Sequence, residues 1–317
     1  MTTPFLVAEK LERRVGDTQI LAGIDLSVNK GEVVGLIGPS GSGKSSLLRA
    51  IAGLDPLTGG RVLVEGRTPV PGDGTVGMVF QQFNLWPHLT AGENVALALR
   101  LVRKMTRVEA TERARAMLDR VGLLKLADRR PAQLSGGQQQ RVAIARTLAM
   151  EPRLILFDEP TASLDPELTT EVLDVIRGLA ETGMTMLVVS HEMGFVASVS
   201  TRAVFLDHGR VLVEGPAKAV FRDAEEPRLR RFLATYLQRV AWAPDPEPAP
   251  APDPGPLTTF ALLQQPGAAE AVPPPAGPEG STMSLLGLPA ASPAAPSGFS
   301  LLDPVPDPNQ KDPKRGA

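Results

Sequence analysis

Short runs of aliphatic residues, each bounded by polar or turn-forming residues, recur through the first 240 positions of the chain. Runs of this length are typical of strands buried on both faces of a sheet. They predict strands at Val33–Ile37, Val76–Phe80, Leu154–Phe157, Leu187–Val189 and Ala203–Leu206. Apolar residues at helical spacing lie between several of them and predict helices at Ser45–Ile51, Glu109–Val121, Gln138–Met150 and Glu167–Ala180. This alternation favours an α/β fold, in which helices flank a mainly parallel sheet.

Two regions depart from the alternation. Strand signals are weak from about Phe83 to Gln133, and we expect a helical subdomain at about residues 84–145. The runs Val62–Val64, and Ala203–Leu206 with Val211–Val213 across the turn at residues 207–210, are typical of antiparallel hairpins. The sheet is therefore expected to have an antiparallel part.

Composition changes abruptly after residue 240. Most of the 31 prolines of the chain lie beyond that point, in a segment rich in alanine as well. Proline removes backbone donors and disrupts regular helix and sheet, so this segment is expected to be disordered. The sequence therefore predicts one globular domain over residues 1–240 and a Pro/Ala-rich disordered tail over residues 241–317.

Charge and cysteine content exclude several classes of function. The chain has 33 basic and 35 acidic residues, and this balance gives no basic excess for a nucleic-acid partner. It contains no cysteine, which excludes disulfides, thiolate catalysis and cysteine metal sites. Residues 1–10 lack the pattern of a secretion signal, and no apolar stretch approaches the ~20 residues that span a bilayer. At a membrane, another chain would have to hold this protein.

A glycine-rich segment between a predicted strand and a predicted helix fits the pattern Gly-x4-Gly-Lys-Ser/Thr. Its amides are expected to face phosphate oxygens, and the following helix adds its positive dipole end. Lys44 would reach the β- and γ-phosphates of a nucleotide, and the Ser45 hydroxyl would ligate Mg²⁺. The alternative is an ordinary glycine-rich turn. The candidate nucleotide-binding residues of this P-loop are Gly38, Pro39, Ser40, Gly41, Ser42, Gly43, Lys44, Ser45 and Ser46.

Two carboxylates end the predicted strand Leu154–Phe157. Ligand groups in open α/β sheets lie at the carboxyl ends of strands. Asp158 is therefore a candidate Mg²⁺ ligand, and Glu159 is a candidate for orienting and polarising an attacking water. An isolated apolar-Asp-Glu sequence is common, and the P-loop upstream is what favours this interpretation. Together the two motifs indicate only a P-loop NTPase.

The segment Leu134-Ser135-Gly136-Gly137-Gln138-Gln139-Gln140-Arg141 resembles the signature of the ABC ATPases. Its chemistry suits phosphate, because Ser135 supplies a hydroxyl, Gly136 and Gly137 supply bare amides, and a helix starts near Gln138. The alternative is an ordinary helix N-cap at Ser135. We name Ser135–Gln138 the signature segment.

The ABC resemblance implies roles for further residues. Gln81, after the strand at Val76–Phe80, matches the glutamine that senses Mg²⁺ and the attacking water. Asp165, in Ser163-Leu164-Asp165, matches the D-loop aspartate near the nucleotide. His191, at the end of its strand, matches the switch histidine that contacts the γ-phosphate, although a lone histidine at a strand end is more often structural. With Lys44 and Glu159, Gln81 and His191 complete the expected catalytic set.

Longer stretches resemble the importers of polar amino acids, namely residues 79–95, 133–166 and 190–195. The Ser-His-Glu-Met-Gly-Phe run at residues 190–195 is the most distinctive of these, and Phe205-Leu206-Asp207 leading to Glu214-Gly215 also matches. The likeness covers about residues 5–240 and implies an ATP-hydrolysing import subunit. The alternatives are an exporter ATPase, which shares every catalytic motif, and a soluble ABC ATPase outside transport.

Three features depart from the family pattern. The aromatic residue that usually stacks on adenine aligns with Val15, which offers apolar contact without a π-face. The loop Thr161-Ala162-Ser163-Leu164-Asp165 carries its serine one position later than the usual Thr-Ser-Ala-Leu-Asp. The proline-rich tail is not a family feature. Adenine contact by Val15 is therefore expected to be weaker than in the family.

The resemblance also implies partners and a location. ABC ATPases work as head-to-tail pairs, so we expect a homodimer or a heterodimer with a related ATPase, with each ATP between the P-loop of one subunit and the signature segment of the other. Transmembrane permease subunits are expected to dock at residues 83–88, named here the docking segment, and a substrate-binding protein to act through them. Core packing of Phe83 and Trp86 is the alternative. The implied location is the cytoplasmic face of a bacterial inner membrane.

Overall fold

The structure is a computed structural model that describes residues 4–237. The predicted disordered tail lies outside the described residues. None of the helices in this part of the chain is both long and apolar enough to cross a membrane.

A six-stranded sheet forms the centre of the fold. Its order is β5-β6-β7-β3-β8-β9; the first five strands run parallel, and β9 pairs antiparallel with β8. The parallel sheet and the β8–β9 hairpin were both predicted from the sequence, and both are confirmed. The strands are β3 (Val33–Ile37), β5 (Val76–Val79), β6 (Leu154–Asp158), β7 (Thr185–Val189), β8 (Arg202–Asp207) and β9 (Arg210–Pro216).

A second, three-stranded antiparallel sheet has the order β2-β1-β4, with β1 at Leu6–Val15, β2 at Thr18–Val28 and β4 at Gly59–Val64. The sequence predicted β structure at Val62–Val64 but neither β1 nor β2. The burial of β1 does not alternate regularly, because register shifts interrupt its pairing between Ala8 and Leu11, where Lys10 has a φ of 46°. A strand with such a bulge loses the period-two pattern that would have revealed it.

The helices are α1 (Lys44–Ile51), α2 (Ala91–Leu101), α3 (Arg107–Arg120), α4 (Gly136–Ala149), α5 (Pro166–Glu181), α6 (Met193–Val199), α7 (Ala217–Arg222) and α8 (Pro227–Leu237). Three of them, α2, α3 and α4, begin with a capping box in which a Thr or Ser side chain and the residue at N3 satisfy each other's backbone amides. These three helices occupy the interval in which the helical subdomain was predicted.

Two cores cover the two faces of the parallel sheet. In β3, Val33 and Ile37 face a core shared with α2 to α5, whereas Val34 and Leu36 face a core shared with α1 and the antiparallel sheet. A strand buried on both faces has no polar alternation, which explains why these strands appear as continuous aliphatic runs. Their carboxyl ends meet at one edge of the sheet, where the candidate site lies.

Candidate functional site

The P-loop joins β3 to α1 through backbone that only glycine adopts without strain. Gly38 has a φ of 151°, and a Cβ built there would lie 2.1 Å from the carbonyl oxygen of Leu206. Gly43 has a φ of 104° and is the N-cap residue of α1. These two positions hold the loop in a turn that ends at the positive end of the α1 dipole.

The turn between β8 and β9 braces the P-loop from one side. The amide of Gly209 donates a 2.9 Å hydrogen bond to the carbonyl of Ser42, and the carbonyl of Gly209 accepts one of 2.9 Å from the amide of Ala22. The sequence analysis predicted this hairpin but not its contact with the loop. The brace fixes the loop backbone between two sheets.

The Lys44 ammonium group lies inside the loop. Its Nζ donates to the carbonyls of Gly38, at 2.8 Å, and Pro39, at 2.9 Å. Burial lowers the pKa of Lys44, and the charges of Glu159 and Asp158 oppose that change. A buried cation ringed by backbone dipoles and facing carboxylates is suited to receive polyanionic phosphate.

Ser45 and Asp158 are brought together from distant parts of the sequence. The Ser45 hydroxyl donates a 2.7 Å hydrogen bond to Asp158 Oδ1. Burial raises the pKa of Asp158, and the hydrogen bond from Ser45 works against that rise. In the P-loop itself, the buried Ser42 Oγ has no hydrogen-bond partner among residues 4–237. Clustered hydroxyl and carboxylate oxygens are the donor set that a hard cation such as Mg²⁺ prefers.

Glu159 and His191 form a contact across the ends of β6 and β7. His191 Nε2 lies 2.9 Å from Glu159 Oε1, and the amide of Glu159 donates 2.9 Å to the carbonyl of Val189. Glu159 has a φ of 49°, which is rare for a residue with a side chain and turns the backbone immediately after β6. The hydrogen bond with His191 lowers the pKa of Glu159 despite its partial burial. The carboxylate is therefore kept ionised.

The signature segment starts α4. Ser135 Oγ accepts a 3.2 Å hydrogen bond from the amide of Gln138, and Gln138 Oε1 accepts one of 3.1 Å from the amide of Ser135. Gly136 and Gly137 are packed closely, because an added Cβ would lie 2.9 Å from Leu164 Cδ2 or 3.2 Å from Leu168 Cβ respectively. The N-cap that the sequence analysis offered as an alternative is therefore present, and it is compatible with a phosphate site at the same helix start.

Three predicted site residues lie apart from the P-loop contacts. Gln81 is exposed just after β5, and Asp165 is the exposed N-cap residue of α5. Val15 ends β1 with 55% of its surface exposed. Within residues 4–237, no hydrogen bond or ion pair joins any of the three to the P-loop.

Two residues of α4 that the sequence analysis did not single out hold the chain around Gln81. Gln140 is fully buried and donates 3.1 Å to the carbonyl of Phe80. Arg146 donates to the carbonyls of Asn84, at 2.6 Å, and Phe83, at 3.1 Å. The sequence signal for Arg146 was a cation inside the apolar run of α4, which is unusual unless the charge has a partner.

Comparisons with known proteins bear on this geometry. A family model described as ABC transporter matches residues 21–162, which include the P-loop, the signature segment and the carboxylates after β6. The glutamine transport ATP-binding protein GlnQ of Escherichia coli (strain K12) is 48% identical over 232 residues, which cover 71% of this chain and 97% of that protein. This chain belongs to the ABC transporter family.

Further relatives extend the comparison of this ABC subunit. The L-cystine transport system ATP-binding protein TcyN of Escherichia coli (strain K12) is 47% identical over 242 residues, covering 72% of this chain and 97% of that protein. A dimeric ATP-binding cassette in a post-hydrolysis state, bound to ADP and Pi, is 36% identical with a TM-score of 0.60, covering 67% of this chain and 98% of that chain. The ABC-ATPase fold and ATP hydrolysis expected from the sequence are thereby confirmed.

Proposed function

We propose that this ABC ATPase powers the import of polar amino acids as one subunit of a membrane transporter. ATP hydrolysis by this chain is supported most directly by the 2.9 Å contact between His191 and Glu159. The charge of the Glu159 carboxylate also interacts with Lys44. The substrate class is supported by relatives named for glutamine and for L-cystine transport. The exact amino acid depends on other chains of such a transporter.

Binding of the triphosphate is assigned to the P-loop and the groups facing it. Backbone amides of residues 38–46 would surround the phosphates, and Lys44 would exchange its carbonyl partners for the β- and γ-phosphates. Ser45, Asp158 and Gln81 would hold Mg²⁺. When bound, Mg²⁺ supplies positive charge that neutralises the phosphate oxygens.

Hydrolysis is assigned to Glu159 with His191. Because the pKa of Glu159 is lowered by its hydrogen bond with His191, the carboxylate is ionised and able to accept a proton from an attacking water. His191 holds Glu159 in place through its Nε2 contact. It would also contact the γ-phosphate of the bound ATP. Gln81 would help to position the water once it moves toward the site.

The remaining site residues would act between subunits. Ser135, Gly136, Gly137 and Gln138 would contact an ATP bound by a second ATPase subunit, with Asp165 beside them. The second subunit is either another copy of this chain or a related ATPase. Val15 would give the adenine an apolar contact from the end of β1.

The membrane partners are proposed to be permease subunits that bind the docking segment. Trp86 exposes 52% of its surface, while Phe83 is half-buried. This arrangement leaves Trp86 available to a partner and lets Phe83 transmit the contact inward. The subunit would then act peripherally at the cytoplasmic face of a bacterial inner membrane, with a substrate-binding protein reaching the complex through the permease.

A pull-down tests the proposal. Tagged chain is recovered from detergent-solubilised native membranes, its partners are identified by mass spectrometry, and Mg²⁺-dependent ATPase activity is measured in the eluate. A polytopic permease is expected with the wild type and is expected to be lost with Trp86→Ala. The matched control Leu212→Ala removes an apolar side chain that is 42% exposed on β9 and is expected to keep the permease. An active ATPase that recovers no membrane protein would overturn the transport assignment.

A further inference from the structure

The segment from Phe80 to Asn84 lies along α4, the helix that begins with the signature segment, and side chains of α4 hold it there. The carbonyl of Phe80 accepts a 3.1 Å hydrogen bond from Gln140, and the carbonyls of Phe83 and Asn84 accept hydrogen bonds from Arg146. At each of these points, the donor is a side chain of α4 and the acceptor is main chain. The contacts therefore fix the path of the segment independently of its side chains.

Packing places α4 in direct contact with both β5 and the segment that follows it. A Cβ added at Gly136, in the signature segment, would lie 3.6 Å from Phe83 Cζ. A Cβ added at Gly77, in β5, would lie 2.5 Å from Thr147 Cγ2. Gly136, Gln140 and Thr147 are four and seven residues apart on α4, so they share one face of the helix. That face carries the chain from β5 to the docking segment.

Arg146 makes the most unusual of these contacts. The guanidinium is partly buried, and its burial lowers the pKa of Arg146 with no acidic neighbour to oppose the change. By contrast, Arg141 of the same helix pairs with the Glu171 carboxylate at 2.7 Å. Removing a guanidinium partly from water costs free energy, and here the hydrogen bonds to the two carbonyls are what compensate that cost. The positions of those carbonyls relative to Arg146 are therefore expected to be well defined. One of those carbonyls belongs to Asn84, whose φ of 51° lies in the left-handed region that Asn adopts more readily than most residues.

We propose that Arg146 is a positioning residue that fixes the docking segment to α4, so that movement of the docking segment is transmitted along α4 to the signature segment at the start of that helix. This inference rests on the proposed function, because it assumes that a permease binds at residues 83–88. A permease bound to one subunit would thereby move Ser135–Gln138, which face the ATP of the other subunit. Arg146 touches neither nucleotide nor water in this mechanism.

The mechanical part of the inference is tested without any permease. The chain has two tryptophans, so Trp242→Phe leaves Trp86, in the docking segment, as the single fluorescent reporter. Arg146→Met keeps much of the side-chain volume but removes both hydrogen bonds, which corresponds to a roughly tenfold change in the population of the held segment. Asn94 also holds the main chain of Trp86, through hydrogen bonds of 2.8 Å and 3.2 Å. Collisional quenching of Trp86 by iodide is therefore expected to increase above the wild-type value by less than this roughly tenfold change in population. Arg146→Lys, which keeps the charge but lacks the planar fork, is expected to give an intermediate value.

Arg103→Met is the matched control. Arg103 also donates to a main-chain carbonyl at the C-terminal end of α4, that of Met150 at 2.7 Å, but this hydrogen bond does not involve the docking segment. Quenching of Trp86 is expected to match the wild type in this variant. Equal quenching in Arg146→Met and the wild type would overturn the inference, whatever the transporter does.

The coupling part uses the complex recovered with its permease. Arg146→Met is expected to lower the stimulation of ATPase activity by the permease about tenfold, a larger change than any in the basal kcat and KM for ATP of the isolated chain, where loosening of the segment after Gln81 is the only effect. A general loss of stability would instead lower basal and stimulated rates together. Stimulation that persists in Arg146→Met overturns the inference and leaves the proposed function standing. A wild-type complex without stimulation counts against the proposed function, and the quenching result then decides the inference on its own.

Discussion

Glu159 is the residue on which the proposed chemistry depends most directly. Glu159→Gln keeps the shape of the side chain but cannot take a proton from water. ATP hydrolysis is expected to fall by about 10²- to 10⁴-fold, while ATP binding persists and the closed dimer accumulates. Single-turnover hydrolysis and light scattering with ATP measure both effects. Hydrolysis at the wild-type rate would remove Glu159 from the catalytic set.

The coupling between Glu159 and His191 depends on pH in a direction fixed by the pKa of Glu159. That pKa lies below its ordinary value of 4.5 because of the hydrogen bond with His191. The pair therefore stabilises the fold above the unfolded-state pKa, and its contribution is lost as pH falls through the lower folded-state pKa.

A double-mutant cycle measures this coupling. Urea unfolding of the wild type, His191→Ala, Glu159→Gln and the double variant gives the coupling free energy at each pH. It is expected to decrease as the pH falls from the ordinary glutamate value of 4.5 through the lower folded-state pKa of Glu159, where the carboxylate becomes protonated. A coupling that stays constant or grows across that interval would contradict the assignment of the shift to His191.

Val15 is the residue at which the sequence analysis expects this chain to lack the adenine-stacking ring of its family. It ends β1 with 55% of its surface exposed, and its side chain has no ring to stack on adenine. Val15→Tyr is expected to strengthen ATP binding by about 0.5–1.5 kcal/mol, the contribution of one stacked aromatic pair. Calorimetric titration compares it with Val15→Leu, which adds apolar surface alone. Equal affinities for the two variants would show that Val15 does not face the base.

The sequence placed some residues of the candidate site at the same sheet edge and missed other contacts around it. Ser45 with Asp158 and Glu159 with His191 follow from their places at strand ends, because parallel strands bring their carboxyl ends to one edge. Arg146 was missed because its partners are carbonyls of a loop, and main-chain acceptors leave no mark on the sequence. The brace from Gly209 to Ser42 was missed for the same reason.

At the scale of elements, the signature segment combines a structural and a proposed catalytic role. Ser135 caps α4 as Thr106 caps α3, and each forms a complete capping box. Ser135→Ala and Thr106→Ala are each expected to cost about 1 kcal/mol of unfolding free energy. Only Ser135→Ala is expected to lower the ATPase rate as well. Equal rates in the two variants would reduce Ser135 to a helix cap.

The two strands that escaped prediction, β1 and β2, share one cause, which is irregular pairing. The parallel strands were recognised because both faces are buried, as in β7, where all five residues from Thr185 to Val189 are buried. In β2, Gly23 has a φ of 76° and shifts Leu21 out of the alternation set by Ile24 and Leu26. Tertiary pairing corrects such irregularities in the folded chain, whereas a periodic pattern in the sequence does not record them.

At the scale of the whole molecule, α8 is needed to complete the domain that residues 1–240 are proposed to form. Asp207, buried beside the turn that braces the P-loop, accepts hydrogen bonds of 2.8 Å and 2.5 Å from Arg228 of α8. Leu229 and Leu233 of the same helix are buried in the core. The domain boundary therefore has to lie beyond α8.

Two truncations test that boundary. A chain ending at Val240 is expected to keep basal ATPase activity and a Tm within about 2 °C of the full chain, since a change of 1 kcal/mol shifts the Tm of a domain this size by about 2–4 °C. A chain ending at Glu226 loses α8, which exposes Leu229 and Leu233 sites in the core and leaves the Asp207 carboxylate buried without Arg228. Its Tm is expected to fall by about 10 °C or more, with ATP affinity reduced through the braced P-loop. If removing residues 241–317 alone abolished activity, the tail would belong to the catalytic unit.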